Sequence, residues 1–153
     1  WNWLASGLAS GATLVLYDGS PFHPGPRVLW DLAATERVAI FGTSAKYLAA
    51  LDKAGFEPAK EVELTSLRTV LSTGSPLMPE TYDFVYRAIK QDLQVSSISG
   101  GTDIVSCFCL GSPVLPVRKG EIQCRGLGMR TEVFDDSGQR VVGARGELVC
   151  AAP

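Results

Sequence analysis

Helix-like and strand-like patterns alternate along the first two thirds of the chain. Apolar residues recur at helical spacing within residues 1–10, 27–38, 44–55 and 78–90. Short apolar runs lie between and after them, at residues 12–18, 39–43, 67–72 and 93–99, and we interpret these runs as strands. Strand alternating with helix indicates crossover connections, so we predict a parallel sheet of about four strands with helices packed on it.

Single residues mark the expected faces and ends of these helices. Val28, Leu32 and the alanines lie on one face of the second helix, which predicts that this face packs inward. Ser44 precedes the third helix as a candidate N-cap, and Gly55 follows it where a left-handed residue is favoured. Pro79 stands where the first turn of the last helix tolerates proline.

The pattern changes after about Ile104 to short alternating runs separated by turns. These runs are EIQCRG, MRTEVFD, QRVVG and GELVC. FDDSGQR is typical of a hairpin turn in which Gly138 takes a positive φ. We therefore predict an α/β fold in two parts: a parallel βαβ sheet layer in residues 1–103, then short antiparallel β strands in residues 104–153 that form a fragment of a barrel-like region.

The charge balance argues against a protein whose main task is to bind nucleic acid. The chain carries 14 Lys and Arg against 16 Asp and Glu, for a net charge of −2, and no basic block is visible. Nucleic-acid binding needs clustered positive charge. A small polyanionic ligand held by backbone N–H groups remains compatible with this composition.

Cysteine and hydropathy patterns indicate a cytoplasmic protein. The four cysteines are scattered in apolar surroundings, which favours reduced, buried thiols over disulfides. Zinc is disfavoured, because Cys107 and Cys109 have the wrong spacing and His23 is the only histidine. No apolar run is long enough to span a bilayer, and the start lacks the basic residues of a signal peptide. Because the chain opens on Trp1 within a pattern, we expect it to be a piece of a longer protein.

Small polar residues follow three consecutive strands of the predicted sheet. The segments are FGTSAK, STGSP and SGGTD, at residues 41–46, 72–76 and 99–103. The carboxyl ends of parallel strands share one edge of a sheet, where ligands bind in open α/β folds. Glycines let the backbone approach a ligand, hydroxyls donate hydrogen bonds, and Asp103 offers oxygen to a hard cation such as Mg²⁺.

A purely structural interpretation competes with this one. Helix capping explains Thr43 and Ser44 about equally well. It explains residues 99–103 less well, because no convincing helix follows them, although a single loop aspartate is most often simply solvated. Serine–histidine chemistry has little support without a G-x-S-x-G motif. A dinucleotide fold is disfavoured, because RGLGMR has only the first two glycines of the fingerprint.

The segments LSTGSPLMPETYDFVY, SISGGTDIVSCF, GEIQCRGLGM and GELVC together resemble the acetoacetyl-CoA synthetase family. This family belongs to the adenylate-forming superfamily of acid–thiol ligases, and the resemblance runs over essentially the whole chain. It implies a reaction in which a carboxylate attacks the α-phosphate of ATP and coenzyme A then displaces AMP. The expected cofactors and substrates are ATP, Mg²⁺, coenzyme A and a short-chain acid. Residues 1–103 and 104–153 are then two parts of one adenylation domain.

The resemblance also implies roles for particular residues. Residues matching the adenine-side turn are Gly74, Ser75 and Pro76. Residues matching the lining of the nucleotide and acyl sites are Ser99, Gly100 and Gly101. Thr102 matches a threonine that contacts the α-phosphate, and Asp103 stands where most of the superfamily has the glutamate ligand of Mg²⁺. Thr43 and Ser44 match a stretch near the acyl pocket, whereas Lys46 is expected on a helix surface.

The resemblance also relates Gly100 to the size of the acid substrate. Acetyl-CoA synthetases carry tryptophan at the matching position, so glycine leaves room for a longer acid such as acetoacetate.

The family's phosphate loop, its ribose-binding aspartate and its lysine-bearing C-terminal domain are all absent from this sequence. We therefore expect the 153 residues alone to be inactive and to need the remainder of the parent chain. The alternative is a catalytically inert or regulatory nucleotide-binding module.

Overall fold

A computed structural model describes residues 2–152 of the chain and the side chains of residues 4–152. The helices are α1 (Asn2–Ala9), α2 (Val28–Thr35), α3 (Ala45–Lys53), α4 (Pro58–Glu61) and α5 (Pro79–Phe84), which a π-helical segment (Val85–Ile89) continues. The strands are β1 (Ile40–Ser44), β2 (Thr69–Thr73), β3 (Gln94–Ser97), β4 (Ser99–Gly101), β5 (Ser106–Leu110), β6 (Cys124–Arg125), β7 (Thr131–Phe134) and β8 (Glu147–Cys150). The predicted α/β class is confirmed, with a parallel sheet and helices first and small antiparallel sheets afterwards.

The parallel sheet has the order β1-β2-β3. β1 and β2 pair from Ile40 with Thr69 to Ser44 with Thr73. β2 and β3 pair in the same direction, and this ladder reaches Ser72 beside Ser97. The predicted adjacency of these strands is confirmed, and it follows from the helical crossovers between them.

The prediction of a strand at residues 12–18 was wrong. This segment is not paired in the described part of the chain, so the parallel sheet has three strands rather than about four. Leu16 is 71% exposed, so apolar composition has not produced burial here. A strand needs a partner to satisfy its backbone N–H and C=O groups, and none of the described strands pairs with this run.

The predicted strand at residues 39–43 is present as β1, but it is covered on one face only. β1 forms an edge of the described sheet, and Ile40 is 58% exposed while Phe41 is buried. Phe41 packs inward because its ring stacks on Trp30 of α2, with ring centroids 4.7 Å apart. A strand covered on one face buries alternate residues only.

The predicted helix ends are confirmed at α3 and α5. The Ser44 hydroxyl accepts a hydrogen bond from the backbone N–H of Tyr47 at 3.2 Å, which caps α3. Gly55 follows the helix with a φ of +66°, in the left-handed region that favours glycine. Pro79 occupies the first turn of α5, where its missing N–H costs no helical hydrogen bond.

The core lies between the parallel sheet and helices α2, α3 and α5. Its largest fully buried apolar side chains are Trp30, Tyr82, Phe84, Leu48, Leu51, Leu67 and Ile89. On the face predicted for α2, Ala33 is buried and Val28 and Leu32 are half-buried, and Trp30 of the same helix is also fully buried. Trp30 fills the space between β1 and α3, so this large side chain determines which face of α2 points inward.

Antiparallel pairing begins at Ser99. One small sheet has the order β4-β5-β6, and another pairs β7 with β8. Gly138 has the predicted positive φ of +74°, and Asp135 closes that turn by accepting hydrogen bonds from two backbone N–H groups. QRVVG contributes an isolated bridge at Arg140 rather than a strand. The described residues from Ser99 onward thus form two small antiparallel sheets and no closed barrel. The division of the chain into residues 1–103 and 104–153 stays a prediction.

Candidate functional site

The three polar segments meet at one edge of the parallel sheet, as the sequence predicted. Ser44 at the end of β1 lies beside Thr73 at the end of β2. The Thr73 hydroxyl donates a hydrogen bond to the carbonyl of Ile98 at 3.3 Å, just beyond β3. The Ile98 N–H in turn donates to the carbonyl of Ser72 at 2.8 Å. These bonds hold the chain segments after β2 and β3 side by side.

A cleft of about 440 Å³ opens at this edge, a size typical of small-molecule sites. Two of its walls are the turn after β2 and the chain from β3 into β4. The predicted residues that line it are Gly74, Ser75, Pro76, Ser99 and Gly100. The sequence therefore placed both of these segments at the cleft, although they lie more than twenty residues apart in the chain.

Gly74 makes the turn after β2 possible. Its φ is +86°, and a side chain there would meet no atom within 4 Å. The requirement for glycine at this position is therefore one of backbone conformation rather than of space. The chain turns sharply here, which brings Ser75 and Pro76 onto the wall of the cleft.

Gly100 is required by the pairing of β4 with β5. A Cβ atom at this position would lie 2.7 Å from the carbonyl oxygen of Ser106 and 3.2 Å from Sγ of Cys107. The β4–β5 register also shifts between Ser99 and Gly100. A tryptophan here would have to separate β4 from β5, so a change in acid preference on Gly100→Trp would not by itself identify an acyl pocket.

Thr102 and Asp103 lie in the turn that joins β4 to β5. Both are exposed, and the carbonyl of Thr102 accepts a hydrogen bond from the N–H of Val105 at 3.1 Å. Val105 has a φ of +46°, which a β-branched residue adopts at a cost. Within the described part of the chain the Asp103 carboxylate has no hydrogen-bond or ion-pair partner. Both residues lie outside the lining of the cleft, at the end of the β4 hairpin.

Thr43 and Ser44 lie half-buried at the end of β1 and outside the lining of the cleft. The Ser44 hydroxyl is engaged in capping α3. Lys46 is exposed on the surface of α3, as expected. Gly101 is exposed, and a Cβ atom there would meet no atom within 4 Å.

The third wall of the cleft was missed by the sequence interpretation. It consists of Gly120, Glu121 and Ile122, together with Tyr82 of α5. The Tyr82 hydroxyl donates a hydrogen bond to the Glu121 carbonyl at 3.0 Å and so fixes this wall to the helix. Burial raises the pKa of Tyr82, so the phenol stays protonated and able to donate. No sequence signal joins these residues, which lie 39 positions apart.

Gln123 supports the same wall from behind. Its side-chain oxygen accepts hydrogen bonds from the Gln94 side chain and from the N–H of Ser112, each at 3.1 Å. Its side-chain nitrogen donates to the carbonyls of Ser112 and Leu115, at 3.1 and 2.8 Å. One amide therefore ties the loop after β5 to β3, next to the cleft residue Ile122.

The four cysteines are free, as predicted, but they are half-buried rather than buried. Burial raises the pKa of the Cys107 and Cys109 thiols, so both stay protonated at neutral pH. Among the described residues there is no group of three or more His, Cys, Asp or Glu side chains that could hold a metal ion. None of the described helices is long and apolar enough to cross a membrane.

The sequence profile of the AMP-binding enzymes matches residues 1–153, so the chain belongs to this family. It is 63% identical over 150 residues to acetoacetyl-coenzyme A synthetase of Rhizobium meliloti (strain 1021). It is 53% identical over 153 residues to acetoacetyl-CoA synthetase of Mus musculus. These alignments cover 98% and 100% of this chain but 23% of each relative, so the chain spans about a quarter of their length.

Solved structures agree with this assignment. The fold matches acetoacetyl-CoA synthetase from Streptomyces lividans with a TM-score of 0.91 and 43% identity, over 100% of this chain and 24% of that one. An anthranilate CoA ligase crystallised with anthranoyl-AMP matches with a TM-score of 0.77, over 90% of this chain and 26% of that one, but at 20% identity it supports the fold alone. The resemblance to acetoacetyl-CoA synthetases that the sequence predicted is confirmed.

Proposed function

We propose that this chain is the central part of an acid–CoA ligase that activates a short-chain carboxylic acid, acetoacetate by preference. In the first step a carboxylate oxygen attacks the α-phosphorus of ATP, the bond to the β-phosphate oxygen breaks, and pyrophosphate leaves. In the second step the sulfur of coenzyme A attacks the acyl carbon, loses its proton and displaces AMP. The names and identities of the relatives support this activity.

The observation that carries the proposal is the convergence of two predicted segments on one cleft. Gly74, Ser75 and Pro76 line one side, and Ser99 and Gly100 line another. A volume of about 440 Å³ suits a nucleoside. We assign the adenosine half of ATP to this cleft, with the turn after β2 beside the base.

The phosphate end of the site then lies toward the tip of the β4 hairpin. β4 leads from the cleft at Ser99 to the exposed turn at Thr102 and Asp103. We assign the α-phosphate contact to Thr102, whose hydroxyl has no partner among the described residues. Gly101 offers an open backbone between the two halves of the nucleotide, since a Cβ atom there would meet no atom within 4 Å.

Asp103 fits the role of a magnesium ligand. Its carboxylate is exposed and has no partner in the described part of the chain, so its oxygens are available to a hard cation. No second acidic residue joins it in a metal-binding group among those residues. Mg²⁺ takes few protein ligands when it bridges phosphates, and it neutralises charge on them. Asp103 therefore serves as a single anchoring ligand.

The acyl end of the site is assigned to Thr43, Ser44 and Gly100. Thr43 and Ser44 end β1, the strand beside β2, and lie outside the adenosine cleft. Because the Ser44 hydroxyl caps α3, its contribution is to position the backbone rather than to donate to the acid.

The remaining catalytic groups belong to other parts of the full-length protein, so the 153 residues alone are expected to be inactive. The free thiols suit a reducing compartment, and we place the enzyme in the cytoplasm.

Acid-dependent pyrophosphate release by the full-length protein tests this function. We expect release with MgATP and acetoacetate, a lower kcat/KM with acetate and with longer acids, and formation of the acyl-CoA only when coenzyme A is present. An inert or regulatory nucleotide-binding module would bind ATP without releasing pyrophosphate with any acid in the panel. That outcome would replace the ligase assignment with the binding module.

A further inference from the structure

One charged residue lines the adenosine cleft, and the roles assigned so far do not use it. Among the described residues that line the cleft, Glu121 alone carries a charged side chain. Its carboxylate forms no ion pair or side-chain hydrogen bond with any described residue, although Lys119 and Arg118 lie two and three residues before it. Lys119 pairs instead with Asp83 at 2.8 Å. The Glu121 carboxylate is therefore an unpaired acceptor at the cleft.

The backbone of Glu121 is held on both sides, so the side chain starts from a defined position. Its carbonyl accepts from the Tyr82 hydroxyl at 3.0 Å, and its N–H donates to the Arg118 carbonyl at 3.2 Å. The negative charge of Glu121 also adds to the effect of burial in raising the pKa of Tyr82. Glu121 is exposed and lines the cleft together with Tyr82, and the effect of its charge on the phenol indicates that the carboxylate lies near this wall.

A carboxylate in this place is unsuited to phosphate and suited to an amine. It repels a triphosphate, whose charges lie at the opposite end of the site toward Thr102 and Asp103. It only accepts hydrogen bonds when ionised. The exocyclic amine of adenine donates hydrogen bonds, whereas the matching oxygen of a 6-oxopurine only accepts them.

We propose that the Glu121 carboxylate accepts a hydrogen bond from the exocyclic amine of adenine and so selects ATP over 6-oxopurine triphosphates. This inference rests on the proposed assignment of the cleft to adenosine. Glu121 is a specificity-determining residue in this view, and it takes no part in either chemical step. Tyr82 acts through it as a positioning residue, because the phenol holds the Glu121 carbonyl.

Nucleotide selectivity of Glu121→Gln in the full-length protein tests the inference. Glutamine keeps the size and the backbone contacts, loses the charge, and can turn its amide to donate to a 6-oxopurine. Calorimetric titrations with MgATP and with MgITP give the ratio of the two affinities. We expect Glu121→Gln to reduce the preference for ATP by about tenfold, the size of effect of one hydrogen bond to a charged group. ITP should bind Glu121→Gln at least as tightly as it binds the parent.

Glu147→Gln is the matched control. Glu147 is exposed on β8 and lies outside the cleft, and its carboxylate has no partner among the described residues. Its substitution removes the same charge and should leave the ATP-to-ITP ratio within about twofold of the parent value. An unchanged ratio in Glu121→Gln, or an equal loss of both affinities, would overturn the inference. Absence of binding by either nucleotide to the parent protein would also overturn it.

Pyrophosphate release separates this inference from the ligase assignment. If acids support pyrophosphate release while Glu121→Gln leaves the base preference unchanged, the ligase assignment stands and the role of Glu121 is rejected. If Glu121→Gln relaxes the base preference but no acid supports release, Glu121 selects the base in a protein that is not a ligase. Circular dichroism of both variants shows whether each remains folded.

Discussion

Gly100 and Gly101 are neighbours in the chain, yet they meet opposite surroundings. A Cβ atom at position 100 would lie 2.7 Å from the Ser106 carbonyl, whereas a Cβ atom at position 101 would meet nothing within 4 Å. Neither residue has a positive φ, so backbone strain does not separate them. The pair therefore isolates the effect of close packing between β4 and β5.

We expect Gly100→Ala to destabilise the full-length protein by about 1–3 kcal/mol, because the added methyl overpacks against backbone. Gly101→Ala should change the free energy of unfolding by less than about 0.5 kcal/mol. Urea unfolding followed by circular dichroism measures both. Equal effects of the two substitutions would contradict the register of β4 on β5.

Asp103 offers a test of the metal ligand. Asp103→Asn should slow pyrophosphate release by about tenfold or more in the full-length protein, because a neutral amide stabilises the metal-bound phosphates less. Asp103→Glu should retain substantial activity, since it keeps the charge. The fold should survive in both variants, because the side chain is exposed and unpaired in the described part of the chain. Near-parental rates for Asp103→Asn at saturating Mg²⁺ would reject the ligand role.

At the scale of elements, Lys90 connects the end of the π-helical segment to the loop that precedes β2. Lys90 comes directly after the π-helical segment, and its ammonium group donates hydrogen bonds to the carbonyls of Leu64, Thr65 and Leu67. The shortest of these bonds is 2.7 Å, to Leu67. These carbonyls lie just before β2, so Lys90 helps to position the strand that leads to the cleft.

Lys90→Met should destabilise the full-length protein by about 2 kcal/mol, because it removes the ammonium donor from the partly buried carbonyl of Leu67. Lys119→Met is the matched control. The ion pair of Lys119 with Asp83 is exposed on both sides, and its loss should cost less than about 1 kcal/mol. Midpoints of urea unfolding compare the two variants. A smaller effect at Lys90 than at Lys119 would show that the Leu67 carbonyl is satisfied without the lysine.

At the scale of the whole molecule, the fold leaves apolar surface uncovered. Leu16 is 71% exposed and Ile40, on the edge strand β1, is 58% exposed. Val114, Leu127 and Val142 in the antiparallel part are more than 80% exposed. The chain also spans 23% of its curated relatives. We therefore expect the rest of the full-length protein to cover these surfaces and to complete the nucleotide site.

The isolated 153 residues should bind MgATP only weakly, with a dissociation constant above about 1 mM. The reason is that, in the proposed assignment, the cleft would hold only the base end and Asp103 alone would offer a charged group at the phosphate end. Calorimetric titration of the fragment with MgATP measures this, and the full-length protein serves as the positive control. Micromolar binding by a fragment whose folding circular dichroism confirms would show that the site is complete without further chain.

The sequence alone determined the helix ends, the order of the parallel strands and the family of this protein. The helix ends at Ser44, Gly55 and Pro79 were predictable because caps and conformational preferences act within a few residues. The parallel order of β1, β2 and β3 was predictable because helical crossovers restrict the topology. The alignment of polar segments at one sheet edge followed from that order. Resemblance then identified the family.

Tertiary structure alone decided the rest, because these features depend on residues far apart in the chain. The apolar run at residues 12–18 is unpaired, since a strand forms only where a partner supplies hydrogen bonds. Gly100 is needed for the close approach of β5, a contact that composition does not reveal. The third wall of the cleft exists because the Tyr82 hydroxyl reaches the Glu121 carbonyl across 39 positions. Sequence patterns report periodicity and local conformation, whereas these contacts arise only when distant segments pack together.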